Sequence, residues 1–163
     1  MSEAQFGRAL VVSAIATFVA TIYGYWEISL GLPRLDFATL LGQRLVPEGS
    51  SKEFTFSWGM AQHFIDGALL GALYLRFFHS ISSWPRWLSG LLYGALVWLA
   101  SGVVTSPLFG AGLFWRGWGD ATLLGVLLWH LLWGFVLGTT FYLAETNGRQ
   151  RRNRQANGHR KIA

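Results

Sequence analysis

The sequence predicts an all-α polytopic membrane protein. The expected fold is a bundle of four transmembrane helices made of two repeated helical hairpins, with a short interfacial helix after the first span. Three observations predict it. Of 163 residues, 52% are hydrophobic and only 13% are charged, against about 25% charged in soluble domains. Four apolar stretches, about 9–30, 56–78, 87–108 and 121–144, are long enough to cross ~30 Å of hydrocarbon as helices. A histidine–glycine motif in the second stretch, His63-x-x-x-Gly67-x-x-x-Gly71, returns in the fourth as His130-x-x-x-Gly134-x-x-x-Gly138.

Taken in order, the first span opens after Arg8 and runs into Tyr23, Tyr25 and Trp26, aromatic residues suited to a membrane interface. Its length favours a retained span over a cleaved signal peptide. Gly31-Leu32-Pro33 stops it. Asp36 is placed to cap a short helix with Phe37, Leu40, Leu41 and Leu45 on its apolar side. That helix is too short to cross and is expected in the interface. Pro47 to Lys52 reads as a polar loop. The second span ends near Arg76, and a short link with Pro85 leads to the third, which Pro107 ends or kinks. Residues 109–119 mix glycine and aromatic residues, placing Trp115 and Trp118 at headgroup depth. The fourth span completes a transmembrane domain of residues 1–147. Residues 148–163 form a basic tail, expected to be mobile.

Four spans put both termini on one side. Arg8, the Arg76–Arg86 link and the tail residues Arg149, Arg151, Arg152 and Arg154 all fall there. The positive-inside rule then makes that side cytoplasmic, in a bacterial inner membrane. The net charge of +5 is concentrated in this tail. It reads as a topology signal or a contact with anionic lipid, and no nucleic-acid role is expected. The absence of cysteine excludes disulfides, thiolate metal sites and iron–sulfur clusters.

The second and fourth spans align at an offset of 67, pairing His63 with His130, Gly67 with Gly134 and Gly71 with Gly138. The first and third align at an offset of 81. Positions four apart share a helix face. Small residues let helices approach where lipid gives them no hydrophobic reason to associate. Gly67, Gly71, Gly134 and Gly138 are therefore helix-packing candidates, and the simplest arrangement sets the second and fourth spans face to face along them. Asp66 borders the same stripe, and its repeat counterpart is Trp133.

Ionisable residues inside a membrane are functional candidates. The plainest reading of His63, Asp66 and His130 is a buried polar lock between helices. A second is ligation of a b-type haem by His63 and His130. Against it, glycine contacts draw helices together, whereas a haem holds them apart. A third is a metal site of His63, Asp66, His130 and Glu27, and a fourth is a proton path. No phosphate loop, dinucleotide fingerprint, zinc-protease motif or serine-hydrolase elbow is present.

Pro33-Arg-Leu-Asp36-Phe-Ala38-Thr-Leu-Leu41-Gly42, His63-Phe-x-x-Gly67, Gly90-Leu-Leu-Tyr-Gly94 and His130-Leu-x-x-Gly134 resemble a family of small bacterial four-span inner-membrane proteins. That family is catalogued only as a domain of unknown function. The resemblance covers roughly residues 8–144. It implies a four-helix membrane fold and a recurring histidine pair, and no activity. The expected function is a non-catalytic accessory or scaffold subunit of a larger bacterial membrane complex, possibly an electron-transport one. Its partners would be the lipid bilayer and other membrane-protein subunits or further copies of itself. The alternative is a cofactor- or ion-binding membrane protein using His63 and His130.

Overall fold

The computed structural model describes residues 3–33, 35–78 and 84–160, and these contain helices and turns and no strand. Helix α1, Glu3–Trp26, runs on through a tight turn at Glu27–Leu30. Gly31 closes that turn with a left-handed backbone, φ 75°. Helix α2 is Phe37–Leu45 and α3 is Lys52–Leu73, ending in a π-helical turn at Tyr74–Phe78. Helix α4, Arg86–Ala100, also passes into a π turn, Ser101–Thr105, and a last turn Ser106–Leu108. A tight segment, Leu113–Trp118, leads to α5, Asp120–Arg160.

Three stretches are long and apolar enough to cross a membrane: Gln5–Leu30, Arg86–Leu108 and Asp120–Gly148. Helix α3 has comparable length but does not meet the same standard. Lys52, Glu53, Gln62, His63 and Asp66 lower its apolar character.

The starts and stops follow local chemistry. Asp36 accepts a hydrogen bond from the Thr39 N–H (3.1 Å), and Ser51 accepts one from the Phe54 N–H (3.2 Å). Each satisfies an amide that a helix start leaves open. Pro107 has no N–H and crowds the carbonyl four residues earlier. The wider π register just before it accommodates that misfit.

The helices pack in the order α3–α1–α5–α4, and the α4–α5 contact is the largest. Helix α3 shares no comparably large interface with α4 or α5, although Leu70 and Tyr74 near its end reach Tyr93, Ser89 and Phe141. The expected face-to-face contact of the two glycine motifs is therefore absent. Gly67 and Gly71 face Thr17 and Ser13 of α1, while Gly134 and Gly138 face Gly90, Gly94 and the Arg86 carbonyl at α4. Helix α1 fills the centre because one stripe of it is small: Ala9, Ser13, Ala16, Thr17, Ala20 and Gly24 are buried.

Two further expectations change. Helix α2 seats itself through Ala38 and Gly42 against Gly59 and Thr55 of α3, while Leu45 is exposed. Small residues win because the two backbones come close enough to exclude a leucine. The basic segment continues α5 as helix to Arg160. The side chains of Arg149, Arg151, Arg152 and Arg154 lie outside the described residues.

Candidate functional site: a cleft between α3 and α4

The gap left between α3 and α4 is a cleft of about 550 Å³, within the range of small-molecule sites. His63 and Asp66 line it from α3, Ser101 and Thr105 from the π turn after α4, and His130 and Trp133 from α5. Thr17 of α1 also lines it, and Leu69 and Val104, on its two sides, are exposed. At one end Tyr93 donates to the Leu70 carbonyl (2.7 Å), and the Tyr74 hydroxyl meets that of Ser89 (2.8 Å). Phe37, Phe109 and Trp115 line the other end.

The hydrogen-bond network fixes which nitrogen of each histidine is occupied. Thr21 donates its single hydroxyl proton to the Thr17 carbonyl (2.7 Å). Its oxygen, 3.1 Å from His63 Nε2, must then accept, so Nε2 carries the proton. In the neutral ring Nδ1 keeps its lone pair. His130 is the reverse case. Its Nδ1 lies 2.7 Å from the Val126 carbonyl, which can only accept, so Nδ1 carries the proton and Nε2 keeps the lone pair. Both rings are near Trp129. His63 meets that indole edge to face at 5.7 Å, and His130 is its chain neighbour.

Asp66 is not bonded to His63. Its Oδ1 accepts from the Gln62 side-chain amide at 2.8 Å, one turn back along the same helix. Trp133, in the counterpart position, donates its indole N–H to Thr17 Oγ1 at 3.2 Å. Glu27 is buried elsewhere. Its Oε1 accepts from the Leu35 N–H (3.3 Å), and its Oε2 lies over Gly125. The proposed metal set of His63, Asp66, His130 and Glu27 is thus not assembled, and no group of three such side chains fit to hold a metal ion occurs among the described residues.

A bis-histidine haem fits poorly too. His130 presents Nε2, as axial imidazoles do, but His63 has that nitrogen bonded to Thr21. Among the described residues the cleft lining includes no lysine or arginine to meet propionates, and it includes the carboxyl of Asp66.

Sequence reasoning missed the wall formed by residues 106–115. Ser106 is fully buried. Its hydroxyl donates to the Gly112 carbonyl (2.5 Å) and accepts from the Trp115 N–H (2.6 Å). That clamp holds Phe114 and Trp115 at φ 54° and 65°, a left-handed backbone that L residues adopt only at a cost of about 1–3 kcal/mol each. Trp115 is turned into the protein and not out toward lipid. It is 1% exposed, it lines the cleft, and its indole N–H has no hydrogen-bond partner. Ser101 and Thr105 line the cleft from a π turn, a feature frequent at functional sites. The usable signal was Ser106 before Pro107 together with glycines at 110, 112, 117 and 119, which mark a tightly folded segment.

Comparisons with protein-family models, curated proteins and solved structures returned no match.

Proposed function

We propose that this chain is a membrane-embedded binding protein whose site is the cleft between α3 and α4, entered sideways from the lipid. The observation that carries this reading is the co-location of His63, His130 and Trp115 on one 550 Å³ cleft. The bond between His63 and Thr21 locks α3 to α1, and the cleft lies beside that lock. The exposed Leu69 and Val104 beside it suit a ligand that arrives through hydrocarbon. Helix α3 is the fourth span in this reading. Its polar residues Gln62, His63 and Asp66 are part-buried and bonded or turned to the cleft, which offsets their cost in lipid. The two hairpins, α1 with α3 and α4 with α5, form a repeat, since each is joined through the glycines of its second helix. Both termini are cytoplasmic in an inner membrane, and the family resemblance belongs to the same reading.

The chain has no cysteine, which makes a clean test available. Val104→Cys, labelled with a bulky maleimide in native membranes, should abolish quenching of the cleft tryptophans by a lipid-soluble aromatic quencher. The same label on Leu143→Cys, an exposed position outside the cleft lining, should leave quenching intact. Equal quenching in both labelled proteins would refute the site. For topology, cysteines at Glu48 and Trp84 should react with an impermeant thiol reagent from opposite faces. Reaction from the same face would remove α3 as a span.

The accessory-subunit reading draws support from the small extramembrane mass. Co-purification of one partner at fixed stoichiometry after mild solubilisation, lost on occluding Val104→Cys, would make the cleft a subunit contact.

A further inference from the structure

We infer that the ligand of this cleft is a neutral, flat-ringed, lipid-soluble molecule that both donates and accepts hydrogen bonds, the chemistry of a hydroquinone headgroup. This rests on the reading of the cleft as a binding site.

Three observations narrow the class. Charge comes first. Among the described residues the lining includes no cationic side chain, and its carboxyl, Asp66, already accepts from Gln62. An anionic headgroup would meet nothing to neutralise it, at a depth where unpaired charge is costly.

Shape comes second. Phe37, Phe109, Trp115, Trp129 and Trp133 supply five aromatic rings to the walls. Phe37 and Trp129 pack edge to face at 4.4 Å, and Phe109 and Trp115 stack at 6.0 Å. A planar ring adds to such a set by stacking or edge contact, which a saturated chain cannot do.

Hydrogen bonding comes third. Both histidines have their proton-bearing nitrogen committed to Thr21 or Val126, so each keeps one lone pair for a donor. The buried Trp115 N–H lacks an acceptor, and leaving such a group unmet is costly. The unmatched capacity is therefore two imidazole acceptors and one indole donor. A hydroxyl that donates to an imidazole, with a second ring oxygen accepting from Trp115, satisfies both kinds. Acceptors outnumber donors, so the site prefers a ring bearing hydroxyls to the same ring without them.

The test pairs an alkyl-substituted hydroquinone with its dimethyl ether, which keeps the ring and both oxygens but cannot donate. Binding is followed by tryptophan fluorescence of the full-length protein in lipid nanodiscs under anaerobic conditions. The hydroquinone should bind about tenfold tighter than the ether, the value of one well-made hydrogen bond. His130→Leu should reduce that preference and His63→Leu/His130→Leu should abolish it, with ether binding nearly unchanged. Trp115→Phe should weaken both ligands by a similar factor, because both present an acceptor oxygen.

A variant that merely unfolds the cleft loses both ligands and fails this pattern, and His130→Gln, which restores an acceptor, should recover part of the preference. Equal binding of hydroquinone and ether overturns the inference while the cleft stands as a site. Tighter binding of oleate or tetraphenylphosphonium overturns it in favour of a charged ligand. If none of these probes changes the fluorescence, the binding reading itself falls.

Discussion

The two glycine motifs look alike in sequence and are built differently. On α5, Gly134 and Gly138 meet glycines and backbone on α4, so two main chains touch. On α3, Gly67 and Gly71 meet the side chains of Thr17 and Ser13. One seam is backbone against backbone; the other is backbone against hydroxyl. The difference teaches where the molecule can yield. A side chain can turn away from an added methyl, whereas a helix backbone can only move as a whole. The α4–α5 pair is therefore the fixed half and the α1–α3 pair the adjustable one, with the cleft between them.

Gly94→Ala should have the largest effect. Its methyl would overlap the His130 carbonyl and crowd Gly134 Cα. A cost of about 2–3 kcal/mol, read from denaturant titration in detergent, should come with displaced Trp129 and Trp133 fluorescence. Gly67→Ala comes next. Thr17 must turn, and its hydroxyl oxygen is the acceptor for the Trp133 indole. About 1–2 kcal/mol should be lost, and Thr17→Val should reproduce the change in Trp133 emission. Gly71→Ala should cost a similar amount, about 1–2 kcal/mol. It meets the Ser13 hydroxyl, which has no hydrogen-bond partner to lose, and Ser13 Cβ, which cannot turn aside. The double variant Gly71→Ala/Ser13→Gly, which also removes Ser13 Cβ, should remove most of that cost. If Gly71→Ala proved as damaging as Gly94→Ala, the distinction between a fixed and an adjustable seam would be wrong.

Apart from the seams, Ser106→Ala should release the left-handed segment at Phe114 and Trp115. It removes two hydrogen bonds and strands the Trp115 backbone N–H. Loss of about 1–3 kcal/mol with a solvent-shifted Trp115 spectrum is expected. Unchanged emission would mean that ring packing alone holds the loop.

The helical architecture was legible because composition and apolar length report it directly. The caps at Asp36 and Ser51 sit at the starts of α2 and α3. The pairing of helices was not legible. A glycine stripe says that something comes close and does not name the partner. The small stripe of α1, from Ala9 to Gly24, was present in the sequence and would have identified the central helix. The histidines were legible as candidates because charge is rare in such a chain. Their hydrogen bonds were not, since Thr21 lies 42 residues from His63. Trp115 was read as an interfacial anchor because composition cannot show that Ser106 folds it inward.

Helix α5 is a continuous span of 41 residues, roughly 60 Å at ~1.5 Å per residue, about twice the hydrocarbon thickness. Mechanically it is a beam. Its contact with α4 at His130, Gly134 and Gly138 is the clamp, and the arginine-bearing end lies beyond it. Because backbone rests on backbone at that point, the beam is held fast there. The His130 carbonyl lies in the same seam, against Gly94, so the clamp that steadies the beam also sets the position of the imidazole at the cleft.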